Sequence, residues 1–420
     1  MSIDRESLNK GFLILSWGLY DMANQFFALN IVSLYFVRWL TLEKKAPEIF
    51  YSISFGVSMF FIAIMAPVLG TVSDILNRRR PFLIYLTFLS IVFTMILGIS
   101  DNILVGLFFF AVANFGCQTA IVFYNALMVN ITPRGKVGLV SGFGKMLGYT
   151  GALLALYLIK PIVLKSGYQA TFLPTGILFF VFALPCLLFV KDKGEKRNVD
   201  LISFFKGRKI IEIFKSLKAV GFNSQMLPGL PDFLKASFFG LCAVNVIILF
   251  MSVYATRVFG LDEVQIINLI AFSTLFAILG SILSGYISDR VGARLTLITV
   301  YLLWVVVFIL GASVRSESLY LLVGALVGMV LGATWVVSRA LAIELVPVAR
   351  IGEVFGLFNL VGYLSGIVGA LFWGLMLLFL APLAATGYRI ALLSLNLFIL
   401  LGSFFLLRIP KVSRELPHRL

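Results

Sequence analysis

The sequence predicts an all-α membrane protein, with twelve transmembrane helices in two pseudo-symmetric six-helix halves. Three observations lead there. Sixty per cent of the 420 residues are apolar and 13% are charged, about half the ~25% charge of soluble globular chains. Ten stretches of at least 18 residues contain no Asp, Glu, Lys or Arg. The second half of the chain also repeats features of the first at an offset of about 214 residues. So little charge cannot coat so much hydrocarbon in water, so the solvent is lipid. A span needs ~20 apolar residues to cross ~30 Å of hydrocarbon. Only helices and closed barrels satisfy their backbones there, and the alternation of barrel strands is absent.

Taken in order, the first span covers about 11–37, interrupted only by Asp21. The charge-free runs 49–73 and 81–100 follow, separated by Arg78, Arg79 and Arg80. The run 102–133 gives the fourth span, 138–159 the fifth with Lys145 as its one charge, and 166–190 the sixth. A charged segment, 191–235, then divides the chain. Within it Ile210, Phe214 and Leu217 recur at helical spacing among lysines and arginines. That pattern predicts a basic amphipathic helix at the membrane interface, serving as a tether or as a regulatory, lipid-sensing element. Pro228 and Pro231 restart the chain. The second half supplies 236–256, 264–288, 295–314, 318–338, 354–388 and 390–407. The expected domains are a bundle at 1–190, a linker at 191–235 and a second bundle at 236–420. Asp4, Arg5, Glu6 and Lys10 precede the first span without a small-residue cleavage site, so no signal peptide is expected.

The net charge of +15 invites a nucleic-acid reading, and its placement rejects it. Of the 34 Lys and Arg, 24 fall on the side that holds both termini and the 191–235 segment. The positive-inside rule makes that side cytoplasmic, in the plasma or inner membrane of a prokaryote. Cys117, Cys186 and Cys242 lie in apolar runs and the one histidine, His418, lies in the tail. No disulfide framework, Cys-x-x-Cys pair, metal motif or histidine relay is available. No nucleophile–base pair appears, so neither an enzyme nor a cofactor is expected, and the chain is expected to act as a monomer. Without a phosphate-binding Gly-rich loop, ATP-driven transport by this chain is not expected either.

The internal repeat defines the architecture. Gly70, Ser73 and Asp74 meet Gly285, Ser288 and Asp289. Ala126, Leu127, Pro133, Gly138, Gly142, Gly148 and Tyr149 meet Ala340, Leu341, Pro347, Gly352, Gly356, Gly362 and Tyr363. Helices 2, 4 and 5 thus fall on helices 8, 10 and 11, as in transporters built from parallel repeats. Here the chain resembles the major facilitator superfamily, whose loop after helix 2 carries G-x-x-x-D-R-x-G-R-R. Gly70, Asp74, Arg78 and Arg79 fit that pattern, with Ile75 and Asn77 in place of the usual Arg and Gly. The second copy keeps Gly285, Asp289, Arg290 and Gly292. A narrower likeness lies in the segments 17–24, 123–126 and 140–149, which look like the branch of the fungal vacuolar amino-acid effluxers of autophagy. Met22 stands where that branch usually has Trp, and Val129-Asn130 where Pro and an acid are common.

Charges inside the bilayer are costly, so each needs a reason. Asp21 lies about ten residues into helix 1, about 15 Å deep, and Trp17, Asp21 and Asn24 share a face. Asp21 is either a carboxylate paired for structure, with Lys145 as partner, or a proton or substrate site. Asn114, Gln118 and Asn125 form a polar stripe on helix 4, predicted to line an aqueous cavity. Through the repeat, Asn125 corresponds to Arg339, Asn130 to Glu344, and Lys145 to Asn359. Trp335 and Arg339 share a face of helix 10, while Tyr149 and Tyr363 occupy matching positions of helices 5 and 11. Lys145 and Arg339 lie roughly 10 Å inside the cytoplasmic boundary. Cations there hold an anionic substrate group or pair with acids to close a gate. Asp74, Arg78, Arg79, Asp289, Arg290 and Glu344 are gating candidates: the resemblance implies a latch, whereas solvated loop charge is the plain alternative. The Gly324/Gly328/Gly332, Gly144/Gly148 and Gly362/Gly366 stripes predict close helix packing.

The expected function is secondary transport by alternating access, with small-molecule substrate and protons as partners and Asp21 as the proton carrier. The resemblance implies an amino acid or similar zwitterion and efflux. The rivals are an amphiphile or organic-anion transporter of the same fold, and a membrane receptor or scaffold that moves nothing.

Overall fold

A computed structural model of the chain describes residues 5–46, 48–99, 101–133, 135–192, 215, 227–315 and 317–410. Every regular element among them is helical, and twelve segments are long and apolar enough to cross a membrane. The first six are α1 (Arg5–Phe27), α2 (Glu48–Leu76), α3 (Arg80–Leu97), α4 (Ile103–Ile131), α5 (Val137–Ser166) and α6 (Phe172–Phe189). The second six are α7 (Leu230–Phe259), α8 (Glu263–Val291), α9 (Ala293–Ser313), α10 (Glu317–Glu344), α11 (Ile351–Phe379) and α12, in two pieces, Ala384–Ser394 and Asn396–Arg408.

Each charge-free run coincides with a helix, and the differences lie at ends. The first span continues past α1 through π-helical Ala28–Leu34, a helical turn at Tyr35–Arg38 and π-helical Trp39–Glu43. The run 354–388 breaks at Phe379, where Ala381–Leu383 form a short 3₁₀ turn. Arg389, the charge that ended the predicted run, sits inside α12 and donates to the carbonyls of Ala312 and Val314 at the C-terminus of α9. A cation there satisfies carbonyls that have no partner within their own helix. Helix α7 begins at Leu230, earlier than the predicted 236, behind Gly229 at φ +86° with Pro231 in its first turn. Proline fits that position because its missing N–H would have no helical partner. The basic amphipathic helix predicted within 191–235 falls outside the described residues, apart from Lys215 and the ends of the segment.

The chain divides into two compact units. One holds Met1–Arg134, Phe143–Phe214 and Val348–Gly356; the other holds Gly135–Gly142, Lys215–Pro347 and Leu357–Leu420. In the first unit α1 packs on α6, and α3 packs on α4 and α6. In the second the closest pairing is α8 with α10, and α7 and α9 pack on α12.

Small residues make these pairings close. Helices in lipid gain nothing from burying apolar surface, since the tails are equally apolar, so van der Waals contact carries the association. A Cβ on Gly328 would strike the carbonyl oxygen of Ser273, and one on Gly332 that of Ala277, so the α10 stripe lies backbone to backbone on α8. Gly116 of α4 approaches the Leu86 carbonyl and Ser90 amide of α3 in the same way. Gly366 lies beside Asn245 of α7, which donates to the Gly362 carbonyl and to Ser365 Oγ.

Candidate functional site

In the first unit the site is built around Asp21. Lys145 Nζ lies 3.0 Å from Asp21 Oδ1, and the carboxylate side chain is 4% exposed against 20% for the lysine. The approach is set by glycines. A Cβ on Gly148 would sit 3.4 Å from Asp21 Cγ, while Gly144 lies under the Trp17 ring and Gly151 against Met22. Three glycines on one face of α5 therefore bring its backbone onto α1 and present Lys145 to Asp21. Met22, in place of the branch's Trp, packs with Phe26 and Ala155.

The aromatic neighbours are fixed. Trp17 is fully buried, donates its indole N–H to the Tyr124 carbonyl at 2.9 Å and stacks on the Tyr124 ring at 4.6 Å. Tyr20 stacks on the same ring at 4.9 Å and shares a 2.5 Å hydrogen bond with Thr87. Trp17 thus packs as a wall behind Asp21, with its one donor already used. Asn24 is buried and accepts a long S–H contact, 3.7 Å, from Cys117.

The α4 stripe divides. Asn114 is fully buried and donates to Ser58 Oγ at 2.8 Å, so in this conformation it joins α4 to α2 and does not face water. Gln118 is half-buried and Asn125 is 8% exposed. Tyr149 is half-buried on α5.

The second unit carries Arg339, 4% exposed on α10, with Trp335 half-buried one turn earlier and Glu344 half-buried at the helix end. Asn359 and Tyr363, on α11, are half-buried, and Asn359 Nδ2 has no hydrogen-bond partner among the described residues. A buried amide donor without a partner is uncommon in a folded protein and suits a ligand's acceptor.

The motif residues form two matching clusters. In the first unit Asp74 Oδ1 accepts from Arg79 Nε and Nη2 at 3.1 and 2.8 Å, and Oδ2 accepts from the Glu353 amide at 2.8 Å. Arg79 Nη2 also donates to the Val348 carbonyl. The carboxylate thus sits on the N-terminus of α11, where unpaired amides and the helix dipole favour an anion. In the second unit Asp289 Oδ1 and Oδ2 accept from the Gly138 and Leu139 amides at 2.6 and 2.8 Å, on the N-terminus of α5. Gly70 lies against the Gly352 backbone and Gly285 against that of Gly138, so the glycines aligned by the repeat make equivalent contacts. Asn77 takes φ +52°, and Gly292 φ +102°. The motif's glycine is required by left-handed backbone, which asparagine tolerates better than other L-residues. Arg78 is exposed, and Arg290, also exposed, stacks over Tyr286 at 4.3 Å.

Sequence reasoning missed several participants. Tyr124 falls inside the segment 123–126 with nothing in the sequence to mark it; its stacking with Trp17 and Tyr20 is the organising contact of that wall. Glu353 was findable, because it follows Gly352, the repeat partner of Gly138. Asp192 caps α3 from 113 residues away, accepting from the Arg79 amide, and no local signal marks it.

The comparisons agree with this architecture. The model of a family described as Major Facilitator Superfamily matches residues 22–370 and 233–420. The chain is 24% identical over 378 residues to an uncharacterised MFS-type transporter, YxiO, of Bacillus subtilis (strain 168), covering 85% of this chain and 86% of that one. Its fold superposes on the crystal structure of the human organic anion transporter MFSD10 (TETRAN) with a TM-score of 0.73 at 15% identity, covering 96% and 100% of the two chains. It superposes on a bacterial homologue of the iron transporter ferroportin, in its outward-facing state, with a TM-score of 0.71 at 14% identity, covering 95% and 98%.

Proposed function

The chain belongs to the major facilitator superfamily, and on that premise we propose that it is a proton-coupled secondary transporter working by alternating access, with an amino acid or similar zwitterion as cargo. It is an integral, multi-pass membrane transporter rather than an enzyme, and it acts on a small-molecule substrate.

The observation that carries the finer reading is the Asp21–Lys145 pair. Two opposite charges held 3.0 Å apart within the spans are jointly neutral, which is what makes them tolerable in lipid. Opened, the pair offers one acceptor and one cation, a charge-for-charge match to the ammonium and carboxylate of a zwitterion. Protonation of Asp21 releases the lysine by the same exchange, which links a proton to a substrate group. The likeness of segments 17–24, 123–126 and 140–149 to the vacuolar effluxers supports an amino acid in particular and an outward, effluxing direction.

A second reading, transport of an organic anion, is favoured by the two buried or half-buried cations, Lys145 and Arg339. The likeness to MFSD10 speaks for the fold alone.

The test begins with thermal stabilisation of the purified chain by amino acids, peptides, sugars, lysolipids and organic anions. With the best ligand in proteoliposomes, Asp21→Asn should abolish accumulation driven by a pH gradient and spare exchange, because an amide keeps the shape of the protonated acid but cannot titrate. Unchanged pH-driven accumulation removes Asp21 from coupling. Stabilisation by anions lacking an ammonium group, undiminished in Asp21→Asn, selects the second reading. No flux under any gradient indicates a receptor or scaffold.

A further inference from the structure

At the end of the first unit that the basic-residue count assigns to the cytoplasm, a cavity of about 490 Å³ opens between the α2–α3 turn and the residues following α6. Arg78, Arg80 and Lys191 line it, with Asp192 as its one acid. That acid is engaged by backbone amides. Asp192 Oδ1 accepts from the Arg79 amide at 2.9 Å and Oδ2 from the Arg80 amide at 3.1 Å, so its charge is matched to the N-terminus of α3. Arg80 is held in place, donating through Nε and Nη2 to the Leu187 and Leu188 carbonyls. Arg78 and Lys191 are exposed, and among the described residues neither side chain has a hydrogen-bond or ion-pair partner.

Beside the polar Asn77, the rest of the lining, Pro81, Ile84 and Tyr85, is largely apolar, and this apolar side continues along the helix. From Tyr85, 77% exposed, the stripe runs through Phe88 and Val92 at 43% and 47%, positions three and seven residues on that share one face of α3. Leu188 of α6, 49% exposed, stands beside the Arg80 guanidinium. A soluble anion would use the cations and leave the stripe untouched. A lipid uses both, with its phosphate among the cations and its acyl chain on the apolar face.

We propose that this cavity is a binding site for an anionic phospholipid of the cytoplasmic leaflet, with Arg78, Arg80 and Lys191 around the headgroup phosphate and Tyr85, Phe88 and Val92 along the acyl chain. The site is independent of the transported substrate.

The test uses the purified full-length chain in detergent, titrated with phosphatidylglycerol, phosphatidylcholine or inorganic phosphate, and read by native mass spectrometry and melting temperature. Phosphatidylglycerol should be retained saturably and raise the melting temperature above the level reached with phosphatidylcholine. Arg78→Ala and Lys191→Ala should each weaken its retention about fivefold, the effect of removing one basic residue near an anionic surface. Lys44→Ala, at the opposite end of the unit, should change nothing. If Arg78→Ala lowers the melting temperature without lipid, Lys191→Ala alone carries the test. Equal retention of the two lipids, or retention that is insensitive to Lys191→Ala, overturns the site. Stabilisation by inorganic phosphate equal to that by phosphatidylglycerol overturns the lipid as its occupant.

Discussion

Replacing Lys145 by Met tests whether the Asp21 pair is an energetic contact or a coincidence of packing. At 3.0 Å and an effective dielectric near 20, the gross attraction is about 5.5 kcal/mol. Desolvating both ions takes back several kcal/mol, so the pair contributes little net stability, while deleting one partner leaves the other exposed to the full penalty. Buried pairs lose ~3–5 kcal/mol on such a deletion. With Lys145 still 20% exposed, Lys145→Met should fall at the low end, about 3 kcal/mol. Asp21→Asn should cost a similar amount, because it removes the negative charge that Lys145 meets at 3.0 Å. The double variant should recover about 2 kcal/mol relative to the sum of the singles, within the range for residues in direct contact. Reversible unfolding by SDS titration in mixed micelles reads all four corners of the cycle. Additive losses, with coupling below about 0.5 kcal/mol, would refute the claim that these charges hold each other.

Three further outcomes are expected. Asp74→Ala strips Arg79 of its carboxylate and the Glu353 amide of its acceptor, costing about 3–5 kcal/mol; hydrogen exchange of amides 351–356 should accelerate while Gly138 and Leu139 keep their protection. Equal protection before and after would show that the carboxylate does not hold the α11 end. Asn77→Gly should leave stability within about 0.5 kcal/mol of the parent, whereas Asn77→Val should cost about 1–2 kcal/mol because a branched side chain resists φ +52°; SDS titration decides between them. Tags on the N-terminus, the C-terminus and the 191–235 segment should all report the cytoplasm in whole cells, and an outside terminus would break both the span count and the orientation.

What was legible followed from physics that acts locally. Charge in lipid is so costly that a run such as 102–133 announces a helix without knowledge of its neighbours. The glycine stripes were legible as a need for closeness, but not in what they approach. Gly144 and Gly148 could have met any helix, and only the tertiary fold sets Trp17 and Asp21 against them. The duplicated motif pointed to Asp74 and Asp289 but not to their acceptor role at the N-termini of α11 and α5, because helix ends meet through the fold and not through spacing. Asn114 is the opposite case. A polar stripe predicts water, yet in this conformation Asn114 is fully buried and gives its amide N–H to Ser58 Oγ. Asp192 left no trace, since a cap supplied from 113 positions away has no local pattern.

The π-helical turns of the first span change how that span must be numbered in any experiment. Each such turn takes up about one residue more than an α-turn, so a face counted forward from Asp21 at 3.6 residues per turn loses its phase beyond Phe27. A cysteine ladder laid out on a single helical wheel would appear to jump sideways after Leu34. Trp39 and Leu40 are fully buried side by side, while Leu42, two positions later, is 61% exposed. Probes on the later part of this span therefore need a register of their own, restarted at Tyr35 and again at the π-helical stretch Trp39–Glu43 rather than carried from the carboxylate.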